Sequence, residues 1–72
     1  MAVKQLENIL SKVKDKDTKI FLETYSYNEA TTVLLAENKE EGQKILYIAD
    51  ETDNLEYELK EEGTKILKTW TH

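Results

Sequence analysis

The tightest constraint on this chain lies in its middle. Residues 30–38 and 43–50 are two strand-length runs separated by Lys39-Glu40-Glu41-Gly42, and both alternate sets of positions in them are apolar. Val33 and Leu35 alternate with Leu34 and Ala36, while Ile45, Tyr47 and Ala49 alternate with Leu46 and Ile48. A strand turns successive side chains to opposite faces, so this hairpin has two faces to bury. Any fold of the chain must cover both.

One cover is legible upstream. Val3, Leu6, Leu10 and Val13, with Ile9 beside them, form one apolar stripe at helical spacing, which predicts a helix over residues 2–14. Its length of about 20 Å covers one face of a small sheet and no more. After Thr18 the period changes to two, and strands are expected over residues 18–27, 30–38, 43–50, 55–60 and 64–71. The breaks carry turn residues, at Asn28, 39–42, 51–54 and 61–63. None of them reaches the dozen or so residues of a parallel crossover, so the expected sheet is an antiparallel meander. The fold class is α+β: one N-terminal helix packed on a four- to five-stranded antiparallel meander sheet, all in a single domain, 1–72.

An internal echo sharpens the reading. Lys39-Glu40-Glu41-Gly42-Gln43-Lys44-Ile45-Leu46 recurs as Lys60-Glu61-Glu62-Gly63-Thr64-Lys65-Ile66-Leu67. Each copy reads as a three-residue hairpin loop with Gly42 or Gly63 in the left-handed conformation, where Ala or Val should destabilise the fold. Lys39 then opposes Gln43, Leu34 opposes Ile48 and Ala36 opposes Leu46. Leu34, Ala36, Leu46, Ile48, Leu55, Tyr57 and Leu67 face the helix, and Glu56 pairs across the strands with Lys68. Val33, Leu35, Ile45, Tyr47, Ile66 and Trp70 are left on the other face as an interface, with Tyr47 and Trp70 as anchors. Phe21, Tyr25 and Tyr27 join either face, depending on the length of the loop around Asn28. A homodimer through this apolar sheet face is expected, with a foreign protein partner as the alternative.

Composition removes most chemistry. The 72 residues hold no Cys, no Pro and a single His, and carry a formal charge of −5. Disulfides, cysteine-based zinc sites and thiol catalysis are thereby excluded. All the cations are Lys, and phosphate contact needs a basic surface, so no direct nucleic-acid binding is expected. No apolar run approaches the ~20 residues of a membrane span, and residues 1–7 lack an apolar signal core, which predicts a cytoplasmic protein without membrane contact. His72 stands at the end of the chain, and neither Ser11 nor Ser26 has a neighbouring base, so no catalytic residue and no cofactor are expected. Base stacking by the tyrosines would call for interleaved Arg and Lys.

The acidic stretch is the remaining feature. Asp50, Glu51, Asp53, Glu56, Glu58, Glu61 and Glu62 crowd into one segment, but without the spacing of a calcium loop, and no metal site is expected. A paired-carboxylate role for Glu56 and Glu58, on one strand face, would lack a cleft. In a meander the two Glu-Glu-Gly loops share one end of the sheet, so that Glu40, Glu41, Glu61 and Glu62, continued by Glu56 and Glu58, form an acidic rim. In size, acidity and strand content the chain is similar to small phage-encoded inhibitors that mimic DNA, a likeness that implies a basic-groove protein as partner and carries over no residue. The plainer role of such charge is solubility and protection of sheet edges. The expected function is a non-enzymatic, self-associating interaction domain. Its alternatives are a phage or prophage inhibitor and a structural subunit with no separate binding site.

Overall fold

The computed structural model describes residues 1–24, 28–50 and 53–71. Tyr25, Ser26, Tyr27, Glu51, Thr52 and His72 lie outside the described residues, as does the side chain of Asp53. The elements run α1 (Val3–Ser11), β1 (Lys19–Glu23), β2 (Thr32–Asn38), β3 (Lys44–Ala49), α2 (Asp53–Glu61) and β4 (Thr64–Thr71). The four strands form one sheet in the order β1-β3-β2-β4. The chain is α+β, but the sheet is mixed: β2 is antiparallel to β3 and to β4, whereas β1 is parallel to β3.

The expected strand over 55–60 is instead the helix α2. Leu55 and Leu59 stand four apart and are both buried, while Tyr57 between them is 66% exposed. Placing Tyr57 in the core is therefore corrected: Leu55-x-Tyr57-x-Leu59 fits a period of two, but the buried pair follows the helical one. The intervening Glu and Lys residues favour helix over strand. Lys60 lies in the last turn, where a cation suits the helix dipole. The amides of Glu62 and Gly63 donate to the carbonyls of Glu58 and Lys60 at 3.1 Å each, and Gly63 leaves the helix with φ +80°. The whole span from 50 to 63 thus becomes a crossover long enough to return β4 parallel to β3 on the far side of β2.

With α2 in place, both faces of the central hairpin are covered. Ile9 and Val13 pack on Val33 and Leu46, joined by Leu6, Leu10, Leu35, Ile48 and Trp70. On the other side Leu55 and Leu59 pack with Leu34, Ala36, Tyr47 and Ala49, against which Ile45 and Ile66 lie. Val33 and Leu34 are neighbours in sequence, belong to opposite cores, and are both fully buried.

Two register details set which residue goes to which core. The β2–β3 loop has four residues rather than three: the Asn38 amide donates to the Gln43 carbonyl at 2.9 Å, and the Gly42 amide to the Asn38 carbonyl at 2.7 Å. Asn38 Oδ1 accepts the Glu40 amide at 2.9 Å, so the turn begins at the asparagine side chain. Leu34 consequently opposes Tyr47, and Ala36 opposes Ile45. That is one residue from the expected register, and one residue moves every side chain of a strand to the other face. Gly42 does take a positive φ of 67°. In β4 a bulge at Leu67 shifts the pairing from Leu35–Lys68 to Ala36–Ile66. It sends Ile66 to the α2 side while Trp70 remains on the α1 side. Lys68 opposes Leu35 and lies over the Trp70 ring at 5.4 Å, which replaces the expected Glu56–Lys68 pair.

Helix α1 ends at Ser11, earlier than the stripe predicts, in a tightened turn: the Lys12 amide donates to the Ile9 carbonyl at 3.0 Å and the Val13 amide to the Leu10 carbonyl at 3.1 Å. Lys16 Nζ adds donations to the carbonyls of Leu10 at 2.8 Å and Val13 at 2.7 Å. At its start the Gln5 side chain accepts the Ala2 amide at 2.6 Å. The Met1 ammonium donates to Glu29 Oε2 at 2.7 Å and to the Ala30 carbonyl at 2.8 Å, tying α1 to the segment before β2.

Helical and strand readings of residues 53–61 predict opposite outcomes for two truncations. Leu59→Ala should cost about 2–5 kcal/mol by opening a cavity under α2. Tyr57→Ala should change stability by no more than about 0.5 kcal/mol. Urea unfolding of both variants checks this, and a large loss at Tyr57 would restore the strand.

Candidate interaction surface

The six residues expected to form one interface do not share a face. Val33, Leu35 and Trp70 lie in the α1-side core, while Ile45, Tyr47 and Ile66 lie on the α2 side. Tyr47, the expected anchor, is only 8% exposed. Burial pushes its phenol above the usual tyrosine range, and the carboxylates of Glu62 and Glu23 act in the same direction.

The sheet ends instead in two open edges of different character. Edge β4 carries the Leu67 bulge and the cations Lys65 and Lys68, devices that discourage further pairing. Edge β1 has no bulge, and its charges, Lys19 and Glu23, stand only at its two ends. Its five residues, Lys-Ile-Phe-Leu-Glu, are all exposed, with Ile20 at 51%, Phe21 at 44% and Leu22 at 70%. Parallel pairing with β3 places Ile20 beside Leu46 and Leu22 beside Ile48, on the α1 side, and Phe21 beside Tyr47 on the α2 side. The Phe21 and Tyr47 rings meet edge to face, 5.7 Å apart at an interplanar angle of 80°, which fixes the Phe21 ring at the rim of the sheet. Next to Ile20 a groove of about 210 Å³ opens between the end of α1 and the strand, walled by Leu10, Val13 and Leu46.

The remaining large exposed apolar residues are scattered. Val3 stands on α1, Tyr57 on α2, and Leu67, 38% exposed and expected to face the helix, at the bulge of β4. Exposed area in total is 5227 Å², roughly 600 Å² more than a folded monomer of this mass usually shows. At edge β1 three consecutive residues, Ile20, Phe21 and Leu22, are exposed and apolar. Periodicity alone could not find this edge, because Ile20-Phe21-Leu22 reads as an ordinary strand core until the strand order places it outermost.

The acidic residues keep part of their expected arrangement. Asn38 pairs with Thr64, so the β2–β3 loop with Glu40 and Glu41 lies beside the α2–β4 junction with Glu61 and Glu62. Glu56 and Glu58 leave the rim: two positions apart on a helix, they point to different sides of α2, not to one strand face. Among the described residues no three acids, histidines or cysteines are grouped to hold a metal ion. None of the described helices is long and apolar enough to cross a membrane.

No protein-family model matches this chain, and no curated protein and no solved structure is significantly similar to it. What the surface can do therefore follows from its geometry.

The Tyr47 environment makes a pH prediction. With its folded pKa raised, the folded state holds the phenolic proton more tightly than the unfolded chain does. That stability is fully present below about pH 10 and is lost as pH rises through the folded value. Thermal melts from neutral pH to pH 11 should show a steeper alkaline decline for wild type than for Tyr47→Phe; equal slopes would mean that the phenol is not buried.

Proposed function

We propose that this chain is a non-enzymatic protein-interaction domain that works by sheet extension, taking an extended strand against the edge of β1. The observation that carries the reading is the contrast between the two edges: β1 is exposed along its whole length, with three consecutive apolar residues between its terminal charges, while β4 is bulged and carries Lys65 and Lys68 within its run. An open edge offers main-chain donors and acceptors for affinity, and alternate side chains add selectivity. Ile20 and Leu22 would contact an incoming strand on the α1 side, and Phe21 on the α2 side.

A second reading rests on the acidic end of the sheet, where Glu40, Glu41, Glu61 and Glu62 gather. Such a rim suits attraction to a basic groove, as in an inhibitor that mimics nucleic acid.

One experiment separates the two. Peptides selected on the protein from a random library are titrated into the isotope-labelled chain, and amide shifts are mapped. Strand addition predicts shifts concentrated at residues 19–23, and binding lost with Leu22→Lys, which puts a charge where an exposed apolar side chain would meet the incoming strand. Basic peptides that shift only the region of Glu40, Glu41, Glu61 and Glu62 would favour the acidic reading. Selected binders that leave β1 unperturbed would overturn sheet extension.

A further inference from the structure

We infer that the strand received by β1 is β1 of a second copy, paired antiparallel about a two-fold axis through Phe21. The inference rests on the edge reading above and names its occupant. Two-fold symmetry allows edge strands to meet only antiparallel, with the same residues on both sides. Centred on Phe21, the segment Lys19-Ile20-Phe21-Leu22-Glu23 is its own complement. Lys19 falls opposite Glu23 of the partner subunit, Ile20 opposite the partner's Leu22, and Phe21 opposite the partner's Phe21. Both ends of the pairing are then of opposite charge and its middle is apolar.

The other registers lose this match. Moving the axis to Ile20 sets Lys19 against the partner's Phe21, and moving it to Leu22 sets Glu23 against the partner's Phe21. An axis between two residues would put side chains of opposite faces against each other.

The surroundings fit the same arrangement. With the axis normal to the sheet, both α1 helices lie on one side, and the partner's Leu22 stands beside Ile20 and the apolar groove walled by Leu10, Val13 and Leu46. On the α2 side the two Phe21 rings become neighbours, each braced by its own Tyr47. The two four-stranded sheets join into one, and an edge with exposed apolar residues on both faces becomes an interior strand. An interface built on five residues per strand is small, which places the dissociation constant in the micromolar range or above.

The test is sedimentation equilibrium from about 1 µM to 1 mM, with circular dichroism to confirm that each variant is folded. Wild type should show a reversible dimer. Leu22→Lys, at a position that is mostly exposed, should weaken it more than tenfold with the fold intact. Lys19→Glu should weaken it about tenfold, since both symmetric pairs become like-charged. The exchange Lys19→Glu with Glu23→Lys should restore it. The chain has no cysteine of its own, so oxidised Phe21→Cys should give a covalent dimer where the exposed control Val3→Cys does not.

A wild type that stays monomeric over the whole range overturns the second-copy occupant, and the peptide titration then decides separately whether the edge binds anything. A dimer indifferent to Leu22→Lys and Lys19→Glu overturns the β1 interface. A dimer that the charge exchange does not restore overturns the register.

Discussion

The structure depends on one packing requirement: strands β2 and β3 are apolar on both faces, and each face has to be taken out of water. Burying a large aliphatic side chain is worth about 1.5–3 kcal/mol, so leaving either set exposed would remove most of the stability of so small a domain. The chain meets the requirement with one helix on each side. Val33 and Leu46 go to α1, Leu34 and Tyr47 go to α2, and the sheet is the wall between two small cores. Strand order follows from this. A helix over the second face turns the β3–β4 connection into a crossover, which sends β4 beyond β2 and leaves β1 beside β3 at the opposite edge.

Much of this is legible in the amino-acid order, and the parts that are not have physical causes. The Val3, Leu6, Ile9, Leu10 and Val13 stripe places α1, although its last turn tightens after Ser11, where the amides of Lys12 and Val13 take the carbonyls of Ile9 and Leu10. The two-sided pattern of residues 30–50 gives β2 and β3, and the run from Thr64 gives β4. Both glycines take positive φ, but in different roles: Gly42 closes a hairpin loop, and Gly63 ends a helix. The near-identical flanking sequences hide that difference, because each copy requires only a left-handed exit into a strand.

Three local ambiguities account for the rest. Leu55, Tyr57 and Leu59 satisfy strand and helix spacing at once, and the helical signals around them, Asp53-x-x-Glu56 before and Gly63 after, are short. The Asn38 side chain captures the turn and moves the hairpin register by one residue. The bulge at Leu67 separates Ile66 from Trp70, which simple alternation puts on one face. Each concerns a single residue or spacing, yet each reassigns side chains between faces. Together they dissolve the expected sheet-face interface and move the unsatisfied surface to the edge of β1. Self-association is proposed on different ground: not a bare sheet face, but a short edge strand whose charges and apolar residues are complementary to themselves.

Two helices cover two faces of a sheet whose β2–β3 register is set by a four-residue loop. Backbone NMR of the isotope-labelled chain tests this arrangement most directly. Helical carbon shifts are expected over residues 53–61, with cross-strand proton contacts that pair Leu34 with Tyr47 and Ala36 with Ile45. Extended shifts over 55–60, with contacts pairing Leu34 with Ile48 and Ala36 with Leu46, would contradict it and return the uncovered sheet face.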